Sequence, residues 1–196
     1  MTVEPSGKVI RLNKVEAATR QLDGAITLFL AGADLVCVTT VTHAAALILH
    51  DLVQLRVPES SASGLFTEAF KNTPLGEKIK TEGDYRKLLR EGPNWLKHAR
   101  DDPDSEYDFY PDMPPVLMFI AITDSIALDA MTVLQEMFMA WMVATYHAHD
   151  KSVELSKLAR QWFPFDASTT FEQRLAIGHA RAQLISSGNN RDVGHG

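Results

Sequence analysis

Cysteine is almost missing from this chain: among 196 residues only Cys37 occurs, so no intrachain disulfide can form. It stands in the apolar run of Leu35, Val36 and Val38, where a buried, inert thiol in a reducing compartment is expected. The recurrent local signatures of catalysis are absent too: there is no P-loop, GxGxxG fingerprint, CxxC pair, HExxH or GxSxG elbow, and no internal repeat. Those absences set aside the enzyme classes that announce themselves in one segment. They leave enzymes whose groups converge from separate helices. Basic residues are outnumbered, with 19 Lys and Arg against 25 Asp and Glu and a net charge of −6. A phosphate backbone is repelled by that overall field, so nucleic-acid binding requires a local basic patch. Residues 1–11 contain only Val9 and Ile10 as adjacent apolar residues and lack the h-region of an export signal. A cytoplasmic location is the expectation.

Apolar residues, by contrast, are plentiful at 45% of the chain, and the densest stretch is 114–146. A membrane span is rejected there because Asp124, Asp129, Gln135 and Glu136 interrupt it. Each carboxylate near a bilayer centre costs about 2.5–3.5 kcal/mol. The expected fold class is therefore all-α: a helical bundle with a long apolar central helix or helical hairpin. Residues 1–186 are expected to form a single helical domain and 187–196 a polar, flexible tail.

Helix signals run along the rest of the chain. Asn13 and Glu16 suit a capping box, followed by Val15, Ala18, Leu22, Ala25 and Phe29 at helical spacing, with Gly32 as the stop. Asp34 suits the cap of a second helix whose apolar face would be Val38, Val41, Ala45, Ile48, Leu52 and Leu55. Shorter helices are predicted over 62–71 and 77–90. Gly92 and Pro93 would break the second of these, and Asn94 would cap another short helix. A further amphipathic helix is expected over 151–163, and a last helix with Thr169 and Glu172 as its capping box and Phe171, Leu175, Gly178, Ala182 and Ile185 as its inner face.

Charge is segregated in the middle of the chain. Residues 71–100 carry eight Lys or Arg against four acids, whereas 101–112 carry six acids and no base. The prolines of the acidic piece predict an extended loop, and Tyr107, Phe109 and Tyr110 would pack it onto the body.

Two groups of polar residues stand out on apolar helices. His43 and His50, seven residues apart, share a helix face about 10.5 Å apart along the axis. That is too far to chelate one metal unaided, so a zinc site would need a third ligand from another helix; the plainer expectation is two surface or partly buried histidines. Asp129 and Glu136 likewise share a face, with Asp124 pointing elsewhere. The Glu-x-x-His pattern of di-metal bundles is missing, which favours a narrow solvent stripe.

The most specific local feature is Asn94, Trp95, Leu96, Lys97 and His98. On a short helix, Asn94 and His98 stand one turn apart beneath the basic stretch. This spacing resembles the all-helical HEPN families, many of them ribonucleases, whose pattern is Arg, a polar residue often Asn, three variable residues and then His. The resemblance implies an RNA-directed site with Asn94 and His98. Pro93 occupies the position of the family's arginine, so Arg90 or Arg100 would have to supply the cation. The alternative for the same segment is purely structural: Asn94 caps a helix, Trp95 and Leu96 turn into the core, and the charged residues remain wet. The runs 18–23, 25–29, 44–52 and 94–99 also resemble an uncharacterised group of small bacterial helical proteins. That likeness implies a bacterial source and a helical fold and carries no activity.

Three functions follow as expectations. The first is a non-enzymatic protein that self-associates as a homodimer or other homo-oligomer, because the apolar segment needs enclosure by neighbours or by a partner. The second is a HEPN-like RNA-directed protein or ribonuclease using Asn94, His98 and Arg90. The third is a metal- or small-ligand-binding bundle around His43 and His50. No cofactor is expected under the first two, and zinc only under the third.

Overall fold

The computed structural model describes residues 9–60, 81–97, 103–109, 111, 113–146 and 159–188. Among the described residues every regular element is helical. Helix α1 spans Lys14–Leu30 and opens with the expected capping box: the Asn13 amide donates to Glu16 Oε2 at 2.8 Å and the Glu16 amide to Asn13 Oδ1 at 2.9 Å. Gly32, at φ +68°, supplies the left-handed residue that ends it. Helix α2 spans Leu35–Arg56, capped by Asp34 through the amides of Val36 and Cys37. A 3-10 turn, Pro58–Ser60, follows it. Helices α3 (Glu82–Lys97), α4 (Met113–Ala127), α5 (Val133–Tyr146) and α6 (Phe171–Ser186) follow, and residues 159–162 are helical as well. Helix α2 packs against α1, α3 and α4, while α6 packs against α5 and α1. The short helices expected over 62–71 and most of 151–163 lie outside the described residues.

The buried face of α2 differs from the expected one. Val38, Thr42, His43, Ala45, Leu49, His50 and Val53 point inward, whereas Leu55 is 80% exposed. The β-branched and small residues of this helix satisfy several apolar stripes at once, so periodicity alone did not fix its rotation. Cys37 falls off the buried face and is exposed in the first turn, contrary to the expected inert core thiol. Of the described helices, α2 is the one long and apolar enough to cross a membrane, although half of that stretch is buried inside the protein.

The apolar stretch 114–146 is a helical hairpin, the second of the two forms expected. Helix α4 ends in a Schellman turn, with the Ala130 amide donating to the Ser125 carbonyl at 2.9 Å and the Asp129 amide to that of Ile126 at 3.0 Å. Asp129 takes the left-handed position at φ +53°, which Asp tolerates better than most side chains. It therefore shares no helix face with Glu136. Gln135 is a cap rather than an interruption. Its amide donates to Thr132 Oγ1 at 3.2 Å, and both side chains donate to Asp23 Oδ1 on α1, at 2.9 and 2.8 Å. Burial pushes the Asp23 carboxyl up, and those two hydrogen bonds oppose the shift. Leu117, Met118, Ala121, Met137, Phe138 and Trp141 are enclosed by neighbouring helices.

Helix α6 begins one residue later than expected, with Thr170 and Gln173 forming its capping box. Thr169 instead donates to Asp166 Oδ1, which with Ser168 holds the Asp166 carboxyl below the usual range. The helix approaches α5 closely because Gly178 has no side chain. The Trp141 indole donates to the Arg174 carbonyl at 2.8 Å, and the Arg174 guanidinium donates to the carbonyls of Thr145 and Thr169. A Cβ at residue 178 would lie 2.8 Å from Leu30 Cδ2 and 2.9 Å from Trp141 Cδ1. Trp141 has little room to yield, since it stacks on Phe138 and meets Phe29 edge-on.

Two alanine substitutions should thus act in opposite directions. Gly24, inside α1, has nothing within 4 Å of a Cβ, so Gly24→Ala should stabilise by about 0.5–1 kcal/mol. Gly178→Ala should destabilise by about 1–2 kcal/mol, the overpacking cost exceeding the helix-propensity gain. Thermal unfolding of both variants measures this, and a raised midpoint for Gly178→Ala would show that Trp141 moves aside.

Candidate functional site

Helix α3 carries the site, and its N-terminus is set by Thr81. The Thr81 amide and hydroxyl both donate to Asp84 Oδ2 at 2.9 Å, while the Asp84 amide donates to Thr81 Oγ1 at 3.2 Å. From Glu82 the helix runs unbroken to Lys97, through Gly92 and Pro93. The expected break does not occur, and Asn94 lies inside the helix instead of capping a new one. A proline inside a helix costs about 3 kcal/mol through its missing N–H and ring clash. Tertiary packing opposes that cost here: Leu89 is fully buried, and Gly92 lies directly on α2.

Arg86, Arg90 and Asn94 recur every four residues and so share one face of α3. With Gly83, Lys87, Glu91 and Trp95 they line a groove of about 780 Å³, whose opposite wall is Ser105, Glu106 and Tyr107. Arg86 is held from below, its guanidinium 3.2 Å from Asp51 Oδ1 on α2. Lys87, Arg90 and Asn94 are exposed. The cation and the polar residue proposed from sequence, Arg90 and Asn94, therefore come together in one groove. His98, the third member of that set, lies outside the described residues.

The wall 103–109 is held on α3 by aromatic contacts and one hydrogen bond. Trp95 is half-buried, not a core residue; its indole donates to Ser105 Oγ at 2.8 Å and its ring stacks on Tyr107 at 5.7 Å between centroids. Phe109 meets both rings edge-on. Ser105, Tyr107 and Phe109 make these contacts while Asp104, Glu106 and Asp108 stay exposed. This is the two-residue alternation of an extended chain. It was present in the sequence of this segment, and it places one carboxylate, Glu106, on the groove.

Beneath α3 lies His43. It is 1% exposed, and neither ring nitrogen has a hydrogen-bond partner. Its ring atoms Cε1 and Nδ1 lie 3.0 Å from the point where a Cβ of residue 92 would be, and the Tyr107 hydroxyl lies 3.3 Å from the same point. Burial pushes the His43 pKa down to about 4, because the charged ring would lose its hydration with nothing to replace it.

His50, one heptad along, is also fully buried, contrary to the surface or partial exposure expected of the pair. Its Nδ1 stands 3.9 Å from Asp124 Oδ2 on α4. Asp124 is thus an inward-facing partner of α2. His43 and His50 do not meet at a common centre: one abuts Gly92 and the other faces Asp124. Among the described residues no three His, Cys, Asp or Glu side chains are grouped so as to hold a metal ion.

The His43 shift sets a pH dependence. Above about pH 6.5 the ring is neutral in both the folded and the unfolded chain; below that the unfolded chain takes up a proton that the folded protein refuses until about pH 4. Stability therefore falls as pH drops through this window. Between pH 7 and pH 5 the parent should lose about 2 kcal/mol more than His43→Leu, as measured by urea unfolding of both proteins at both pH values. Equal losses would place the His43 pKa near its ordinary value.

Among known proteins, no family model, no curated protein and no solved structure matches this chain.

Proposed function

We propose that the protein is a binding module whose α3 groove takes a short single-stranded stretch of RNA. The observation that carries this reading is the convergence of Lys87, Arg90 and Asn94 with the aromatic pair Trp95 and Tyr107 along one open groove. Cations beside half-buried aromatic rings match the two parts of a nucleotide: phosphate and base. Asn94 adds an amide that can both donate to and accept from a base edge. Lys87 and Arg90 supply the two exposed cations through which a chain of net charge −6 can hold a phosphate backbone here, Arg86 being engaged by Asp51. Glu91 and Glu106 on the groove walls equal those two cations in number, so affinity only in the range of about 1–100 µM at physiological salt is expected.

Binding alone accounts for these residues. Self-association is a separate expectation: Leu117, Met118, Met137 and Trp141 are buried within the protein, whereas Ile126, Met131, Val133 and Tyr146 of the same stretch are exposed.

Fluorescence anisotropy with a labelled ten-nucleotide oligoadenylate tests the reading. Joint replacement Lys87→Glu and Arg90→Glu should weaken binding at least tenfold and flatten its salt dependence. Trp95→Ala should weaken it by about fivefold to a hundredfold, the loss of roughly one stacked base. Undiminished binding by the charge-reversed protein would refute the groove.

A further inference from the structure

The wall 103–109 presents, in order, a residue that hydrogen-bonds Trp95, an exposed carboxylate on the groove, and a ring stacked on the Trp95 indole. Taken as chemistry, Glu106 and Tyr107 are an anion followed by a planar ring, facing a surface of two exposed cations and one indole. A nucleotide offers the same two groups to the same two partners. Resting on the RNA-binding reading above, we propose that segment 103–109 is a built-in occupant of the groove. Tyr107 holds the stacking position on Trp95 that a base would take, Glu106 supplies the anion, and an unpaired strand seats fully by displacing both.

The segment's attachment fits an occupant that can leave. Among the described residues it meets α3 through one exposed hydrogen bond and two ring contacts, both to the half-buried Trp95, and through the Tyr107 hydroxyl beside Gly92, with Asp104, Glu106 and Asp108 in solvent. Solvent-exposed contacts of this kind belong to the low-stability end of a fold. Tyr107 also reaches beneath α3, to the Gly92 and His43 contact, so displacement uncovers the floor of the groove. A plain wall would behave differently: it would help to hold the ligand, and ligand would shield it.

Ser105→Ala removes the hydroxyl that accepts from the Trp95 indole without changing charge. It should tighten oligoadenylate binding about threefold to fivefold, in keeping with the net worth of one hydrogen bond. A second readout is cutting by a glutamate-specific protease, with the site located by mass spectrometry. On the parent protein, saturating oligoadenylate should raise the rate of cutting after Glu106 several-fold. Weaker or unchanged binding by Ser105→Ala, together with protection of Glu106, would overturn the occupant while leaving the groove intact, provided that the Lys87→Glu and Arg90→Glu protein still loses binding. If that charge-reversed protein binds as the parent does, the RNA-binding reading fails and the occupant with it.

Discussion

Helix α3 rests on α2 at a point where residue 92 has no side chain and residue 43 carries no charge. The 3.0 Å separation between the His43 ring and the Cβ position of Gly92 leaves no space for even a methyl group without movement. With both ring nitrogens buried and without partners, a proton on His43 would introduce an unsolvated cation into the same contact. These two conditions fix the height of α3 above the core. The groove is built on that height. Arg86 reaches Asp51, Tyr107 slides beside Gly92, and Arg90 and Asn94 face the opposite wall because the helix lies where it does.

Polar residues within the core follow the same logic. His50 and Asp124 face each other between α2 and α4, and Gln135 and Thr132 tie the start of α5 to Asp23 on α1. Buried polar groups without partners are costly, so these pairings restrict how the helices can slide on one another. Apolar contacts such as those of Trp141, Phe138 and Phe29 supply most of the burial but are less selective about register. Gly178 repeats on α6 the device of Gly92 on α3: a helix approaches closely where a side chain is missing.

Local signals in the sequence translated well. Asn13 with Glu16, Asp34 and Gly32 mark helix ends through bonds within three residues of themselves, and each performs that role. Signals that depend on distant residues did not translate. Gly92 and Pro93 read as a break because propensity counts only the chain's own backbone, whereas the packing of Leu89 and Gly92 against the core is set by other helices. The inward turn of His43 and His50 was likewise illegible, since α2 offers several apolar stripes and only its neighbours select one. Of the site, Asn94 was singled out through its one-turn spacing from His98, and Arg90 as a substitute for the arginine that Pro93 replaces in the pattern it resembles. Glu106 and Tyr107 were visible only as an acidic, aromatic loop, because nothing local says which helix that loop will lie against.

The most direct test of the dependence of the groove on the α2 and α3 contact is hydrogen exchange, read segment by segment, on Gly92→Val at neutral pH. The larger side chain should lift α3, so residues 81–97 and 103–109 should lose protection while α1, α5 and α6 retain that of the parent. Protection unchanged in α3, or lost equally across all helices, would contradict the account, because the Gly92 and His43 contact would then be either tolerant or a support of the whole core.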